Sequence, residues 1–438
     1  MARVDKINVK LWLVLILSSL VPLIYTTTRI HFIGSMPDAW AFSIAAQVAW
    51  LNIGYEVINE ALLLPLAFIL GQVIKTKDEF QQRSATSLGV VALTYAVVTA
   101  FVFVFTPQLV SAMQQQENLL VQTIEYIRLE SIAIFVSSAY LFFNLVLVLH
   151  NKQKVLYSLL VIQTVLTILC DTLLVSQLSM SLQLGVTGIA ITNIIVNSVL
   201  VIVSFNLLSL NGLALGLRKV TLNKAEWLKE WFKIGTRSGL ESLVRNTAFV
   251  VMILQLMNQL QQAGTFWVAN GFIWGWLLLP VLTLGQLVKQ DAATNNGLTT
   301  QKINRYLLVT CGIFLIWLVS APLWESFIHS VMGVGNADQV ANLVYLMIGF
   351  YVIFALNNVI DSYFYGIGRT DLMLYQSLAV NTLFYGSAFA LYQFGWFVPS
   401  LERVAIMFGL GITFDAVLTW GLYAMLRKQQ SEQELAIA

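Results

Sequence analysis

The sequence predicts an all-α polytopic membrane protein of about twelve transmembrane helices, in two six-helix lobes related by a pseudo-two-fold axis along the membrane normal. Three observations predict it: a series of long apolar stretches, the alternation of positive charge between their joints, and a repeat between the halves of the chain. The stretches lie at 11–33, 42–74, 86–106, 126–150, 155–177, 185–211, 230–258, 264–288, 303–324, 340–367, 372–397 and 403–426. Each is long enough for a helix to cross a bilayer, which takes about 20 mostly apolar residues.

Composition agrees. Charged residues make up 11% of the 438-residue chain and AVILMFWYC 58%, whereas a soluble domain carries about 25% charged residues. The joints are short and leave no room for a sizeable soluble domain. Backbone groups in lipid need internal partners, and the alternating pattern of a β-barrel is absent, so helices carry the spans.

Of the 24 Lys and Arg, 20 fall in the two termini and every second joint. They are Arg3, Lys6, Lys10; Lys75, Lys77, Arg83; Lys152, Lys154; Arg218, Lys219, Lys224, Lys229, Lys233, Arg237; Lys289, Lys302, Arg305; Arg369; and Arg427, Lys428. The other joints hold only Arg403. Arg29, Arg128 and Arg245 lie inside or at the edge of apolar stretches. Excess Lys and Arg marks the cytoplasmic side of a membrane. This predicts a multi-pass protein of the cell's inner (cytoplasmic) membrane with both termini in the cytoplasm. The net charge of +2 is spread over several joints, which gives no patch for nucleic acid. The N-terminus is basic and then apolar, and the length of the run reads as a retained first helix.

Cys170 and Cys311 both fall in apolar stretches and read as small core residues rather than a disulfide. His31, His150 and His329 show no metal spacing. There is no Walker A sequence and no arrangement for nucleophilic catalysis. The expectation is a protein that is not an enzyme and holds no cofactor.

The repeat sets the domain division. Leu62-Leu63-Leu64-Pro65 leads into Gly71-Gln72-Val73-Ile74-Lys75, and Leu277-Leu278-Leu279-Pro280 leads into Gly285-Gln286-Leu287-Val288-Lys289. The second copy is one residue shorter between proline and glycine. Both prolines predict a bend, in helices 2 and 8. A second match joins helices 4 and 5 at Asn151-Lys152-Gln153-Lys154 and helices 10 and 11 at Gly368-Arg369-Thr370-Asp371. The predicted lobes are 1–211 and 230–438, with a basic cytoplasmic linker at 212–229.

Local patterns then suggest a family. Tyr365-Gly366-Ile367-Gly368-Arg369-Thr370-Asp371 follows helix 10, Gly185-Val186-Thr187-Gly188-Ile189-Ala190 opens helix 6, and Asp171 stands in helix 5. Gly235 and Phe249 lie in helix 7, and Val268-Ala269-Asn270 in helix 8. In order and spacing these resemble the MATE (multidrug and toxic compound extrusion) transporters, within the wider group that includes lipid-linked-oligosaccharide flippases. The resemblance implies two six-helix bundles, a central cavity, alternating access, and export of a drug-like molecule against inflow of sodium or protons. It departs at two places. Many members carry an acid in helix 1 five residues before a glycine, and here Gly34 puts Arg29 there. Others carry a helix 7 glutamate ten residues after a glycine, and Gly235 puts Arg245 there.

Ionisable groups inside the hydrocarbon are costly and usually face a bundle interior or water, so they are the site candidates. Glu56 and Glu60 are four apart in helix 2 and share a face. Such a pair suits proton sharing, or sodium with nearby carbonyls; the alternative is a neutralised network with Arg29. Asp171 is expected to join Glu56, Glu60 and Arg29 in ion coupling, or else to make a structural hydrogen bond. Glu241 and Arg245 are four apart in helix 7. They form an ion pair along the helix, or Arg245 joins Arg29 in a cavity suited to carboxylate or phosphate. Asn193 and Asn197 share a face of helix 6 and complete the network. Asp361 reads as a helix-end residue and Asp415 is open. Trp267, Trp274 and Trp276 cluster on helix 8, with Trp50 and Tyr55 on helix 2; such rings stack a drug or form an interfacial belt. Trp274, deepest in its span, is expected to line the substrate cavity with Asn270, Arg245, Glu241 and Asn193.

The leading expectation is thus a secondary active antiporter, a monomer in the lipid bilayer, exporting an amphipathic organic molecule with Na+ or H+ as coupling ion. The alternative is a flippase or exporter of an anionic substrate, soluble or lipid-linked. A membrane anchor or assembly subunit is a third reading, disfavoured by the buried charges and the repeat.

Overall fold

The computed structural model of the protein describes residues 7–37, 40–213, 215, 226–294 and 297–437. Among them every regular element is a helix. The membrane-length elements are α1 (Val9–Gly34), α2 (Ala41–Gly71), α3 (Lys77–Ala112), α4 (Glu117–Leu149), α5 (Gln153–Leu174), α6 (Gly185–Leu210), α7 (Glu226–Gln259), α9 (Thr300–Ser330), α10 (Ala337–Gly366) and α12 (Leu401–Gln429). Between α7 and α9, α8 runs as Ala263–Leu277 and Leu279–Ala293, bent by 53°. These make ten membrane-length helices among the described residues, or eleven with the bent pair. The eleventh predicted stretch is α11, residues 370–393, in successive pieces of 10, 6 and 8 residues. It carries Gln376 and Asn381 in its interior and lies outside that count.

The outer faces are apolar. Leu93 and Val97 on α3 are 67% and 61% exposed, and Leu318 and Val319 on α9 are 72% and 79% exposed. Exposed contiguous apolar surface of this kind marks contact with lipid rather than water, and with the span lengths it makes the chain a multi-pass membrane protein.

By contact the chain divides into two compact units, Ile24–Val250, and Met1–Leu23 with Val251–Ala438. The sequence placed the division at 212–229, most of which lies outside the described residues. The boundaries of the two units fall inside two helices. One boundary follows Pro22 in α1; the other falls in the π turn Val250–Leu254 of α7. Proline removes a backbone donor and a π turn inserts a residue, so both are irregular points in their helices.

In the first unit α4 packs on α3 and α6, and α2 packs on α7; in the second α10 packs on α8 and α12. The two prolines of the repeat behave differently. α8 breaks just before Pro280, whereas α2 stays one continuous helix through Pro65. Both sites recruit an indole. Trp231 Nε1 donates to the Leu62 carbonyl at 2.9 Å and Trp317 Nε1 to the Leu277 carbonyl at 3.1 Å. Each carbonyl lies three residues before its proline, where the helical ladder is disturbed and a neighbouring donor re-satisfies it.

The matched joints also share a conformation. Asn151 takes φ 53° and Gly368 φ 75°, the left-handed region that glycine and asparagine tolerate best. In each, the next amide reaches back five residues: Lys152 N to Leu147 O at 3.0 Å, Arg369 N to Phe364 O at 2.9 Å. This closes the helix by satisfying a terminal carbonyl.

Gly235 sets how near α7 comes to α2. A Cβ there would collide with the Ala61 carbonyl, and one at Gly239 would crowd the Ala61 side chain. Pro65 lacks the amide that would normally bond the Ala61 carbonyl, so this seam depends on close backbone approach. Gly235→Leu is expected to destabilise the protein by about 1–3 kcal/mol, the usual cost of forcing extra methylenes into a packed contact. A fall in melting temperature of the detergent-solubilised protein, against an unchanged Gly421→Ala control, checks this; Gly421 has open space around it.

Candidate functional site

Three polar groups among the apolar helices gather most of the sequence candidates. The first joins α1, α4, α5 and α6. Arg29 forks onto Asp171, with Nε to Oδ2 at 2.8 Å and NH2 to Oδ1 at 3.2 Å. The Asp171 side chain is 1% exposed and that of Arg29 16%. A two-bonded guanidinium–carboxylate pair is the strong form of this contact. Beside it stands a second buried acid, Glu130, 3% exposed. Asn193 Nδ2 donates to it at 2.8 Å, and Tyr126 lies one turn earlier on α4. One guanidinium balances one carboxylate, so Glu130 is the acid of this group whose charge is not cancelled by a partner of its own. Asn197 instead donates to the Ala133 carbonyl at 3.2 Å.

The second group joins α2 and α7. Arg245 NH2 lies 2.6 Å from Glu60 Oε1 and 3.8 Å from Glu56 Oε1, while NH1 lies 3.7 Å from Glu241 Oε1. All four side chains keep contact with the outside, from 23% exposed at Glu60 to 48% at Glu56. Three acids therefore surround one base in a half-open setting, where further charge is screened more weakly than in water but not trapped.

The third lies in the second unit. The π turn Ile273–Leu277 holds Trp274. Its Nε1 donates to the Tyr351 hydroxyl at 3.2 Å, and that hydroxyl donates to Asn270 Oδ1 at 3.3 Å. Phe354 closes the cluster, with its ring centroid 5.2 Å from that of Trp274. Trp274 remains 37% exposed beside this hydrogen-bonding chain.

These placements sort the sequence candidates. Glu56 and Glu60 do share a face, and Asn270 and Trp274 do share a cluster. The expected grouping of Arg29 and Asp171 with the helix 2 acids is corrected: Arg29 bonds Asp171, and the acids of α2 bond Arg245. The Glu241–Arg245 pair exists, but Glu60 is the nearer partner of Arg245. Asn193 serves Glu130 rather than the helix 2 acids. Asp361, read as a helix-end residue, instead shares a hydrogen-bond network with Asp415. Glu130, Tyr126, Tyr351 and Phe354 were not singled out. An intramembrane acid at Glu130 is the signal that could have found the first; the others look like ordinary aromatics until their partners are known. Trp276 stacks edge-on to Phe327 at 4.9 Å and belongs to packing. Both cysteines are free thiols.

No known protein family and no curated protein matches the sequence. Solved structures do match, along nearly the whole chain. An inward-facing multidrug-resistance MATE transporter of the MOP superfamily superimposes with TM-score 0.74 at 16% identity, covering 95% of this chain and 96% of that one. The chain has the fold of the MATE transporters. The VcmN MATE transporter of Vibrio cholerae superimposes with TM-score 0.66 at 14% identity, over 100% and 99% of the two chains. A MOP superfamily transporter of Pyrococcus furiosus, described as having a binding pocket of reversed polarity that suggests a different function, gives 0.67 at 16%, over 97% and 96%.

Removing Asp171 would strand Arg29 in the interior. Asp171→Asn is expected to cost about 3–5 kcal/mol, the penalty for breaking a buried pair. Glu241→Gln, in the half-open group, should cost under about 1 kcal/mol. Joint replacement by Arg29→Met and Asp171→Leu should recover much of the loss. Thermal unfolding of the four proteins in one detergent measures all three comparisons.

Proposed function

We propose that this chain is a secondary active transporter that exports an amphipathic organic molecule, driven by an ion gradient. The observation that supports this most is the buried Arg29–Asp171–Glu130 group within a fold shared end to end with MATE transporters. Charge so deep in apolar helices is expensive, and in membrane proteins it marks ion pathways and proton relays. In this reading Glu130 takes and gives a proton, Arg29 holds Asp171 and senses the change, and Asn193 follows the protonation state by hydrogen bonding. The Arg245 group is a second coupling element: proton or sodium binding at Glu56 and Glu60 competes with Arg245 for the same oxygens. An ion can drive the cycle only by binding one conformation better than the other, and a guanidinium that changes partners supplies such a difference. One charge moved through 100 mV yields about 2.3 kcal/mol, enough for roughly a forty-fold gradient of a neutral solute.

The cargo is neutral or cationic with an aromatic or apolar body. The part-exposed indole of Trp274 beside Tyr351 and Phe354 suits ring stacking and cation–π contact. The alternative, an anionic cargo, soluble or lipid-linked, drew on Arg29 and Arg245. Both are engaged by acids, and the Arg245 group carries three carboxylates to one guanidinium, which weighs against it. The protein acts as a monomer in a cytoplasmic membrane with both termini inside, the orientation that the charge pattern favours.

Reconstituted proteoliposomes loaded with a fluorescent organic cation test this under separate pH and sodium gradients. Wild type should accumulate the cation only when a gradient is imposed. Glu130→Gln, and either Glu56→Gln or Glu60→Gln, should abolish driven transport while leaving dye binding within a few-fold. Trp274→Ala should weaken binding by about tenfold, the loss of roughly 1–1.5 kcal/mol of aromatic contact. Driven transport at wild-type rates in all three acid variants would refute the coupling assignment.

A further inference from the structure

Arg403 is the single Lys or Arg in one of the two alternating sets of joints, and neither the ion-coupling groups nor the Trp274 cluster uses it. It stands at one end of a groove of about 490 Å³ between α11 and α12, within the range of about 300–1,000 Å³ usual for ligand sites. Leu383, Ala388 and Leu391 line the groove from α11, and Met407 and Leu410 from α12. Apart from Arg403 and Ser387 every residue on its walls is apolar. Phe384 and Phe414 stack across the far end, with ring centroids 5.9 Å apart.

The dimensions and depth of the groove match one leaflet of a bilayer. On α12 the lining runs from Arg403 to Phe414, which is about 16 Å of helix. Half of a hydrocarbon core of about 30 Å is about 15 Å. A second observation fixes the level of the mouth. Phe394 and Trp396, in the joint before α12, are 74% and 80% exposed, with rings 6.2 Å apart. Exposed aromatic side chains at the end of a span sit at the headgroup level. Arg403 is in the first turn of α12 and so lies at that level, and the groove runs from it toward the middle of the bilayer.

The guanidinium is available there. Its NH1 donates to the Val398 carbonyl at 3.1 Å, and among the described residues it forms no ion pair. Glu402, its neighbour in sequence, accepts from the Ser400 hydroxyl at 3.1 Å and is not on the groove wall. Guanidinium groups suit phosphate, which they hold with parallel hydrogen bonds. An organic cation would meet one positive charge here and no acid. A further helix, about 10–12 Å across, would overfill the groove along its length. One cation at headgroup depth over an apolar slot as deep as a leaflet fits an amphiphile with an anion at one end.

We infer that the groove between α11 and α12 binds an anionic phospholipid from the bilayer, with one acyl chain against the apolar walls and the phosphate on Arg403. This site lies within the second unit and depends on neither the cargo nor the ion coupling assigned above.

Phosphatidylglycerol carrying a photoreactive diazirine at the end of one acyl chain, added to the purified full chain in detergent, tests this. After illumination, peptide mapping is expected to find the label concentrated in residues 383–391 and 403–414. Unlabelled phosphatidylglycerol should displace it at lower concentration than phosphatidylcholine does. Arg403→Gln should weaken binding of the probe at least about tenfold, the loss of a charge-assisted contact. Ala388→Phe fills the groove, keeps the charge and should remove the label from both segments. Arg128→Gln, on α4, should leave the labelling unchanged. Label spread as strongly over the exposed faces of α3 and α9 means surrounding lipid only and overturns the proposal. So does unchanged affinity in Arg403→Gln. Displacement by the fluorescent organic cation as readily as by phosphatidylglycerol makes the groove a cargo site and overturns it too. Should Ala388→Phe fail to fold, Arg403→Gln, at an exposed position, decides alone.

Discussion

A charge placed among apolar helices must be met by another group. Moving one ion out of water costs several kcal/mol even after relaxation. Each polar group of this protein is an answer to that constraint, and the answers differ with depth. Arg29 and Asp171 are buried and use the strongest contact available, a forked pair. Arg245 is half-buried, and three acids share it at 2.6 to 3.8 Å. Asp361 and Asp415 meet no base among the described residues and are held by Asn357, Gln376 and Thr419.

Backbone packing puts these groups where they are. Gly235 and Gly239 remove the side chains that would keep α7 off α2, and Trp231 ties α7 to the Leu62 carbonyl. Arg245 lies ten residues on from Gly235, about 15 Å along the helix, over the part of α2 that carries Glu60 and Glu56. The seam is therefore a precondition of the Arg245 group. In the second unit the π turn at 273–277 does comparable work by placing Trp274 beside Tyr351. Helix irregularities also mark where the two units divide, at Pro22 and at the π turn of α7.

Much of this was legible in the sequence, and for a clear reason. Hydrocarbon imposes length, apolarity and charge asymmetry on every span separately, so composition alone yields helices, their number and their ends. α11 shows the limit: Gln376 and Asn381 make it more polar than its neighbours, because part of its surface faces a hydrogen-bond network instead of lipid. The repeat at Pro65 and Pro280 was visible, but the shared Leu-Leu-Leu-Pro gave a continuous helix in α2 and a 53° bend in α8. The response to proline depends on what packs around it.

The sequence by itself determined that charges such as Arg29, Asp171, Glu56, Glu60 and Arg245 lie inside spans, since span and charge are both local properties. It also determined i, i+4 neighbours, because helix geometry fixes them. Only the tertiary structure decided which charge meets which. Partner choice between helices depends on rotation about each axis and on sub-ångström approach at glycines, and no single segment carries that information. Hence Arg29 went to Asp171 and not to α2, Glu130 entered the group unannounced, and Asp361 and Asp415, 54 residues apart in the chain, came to share one amide.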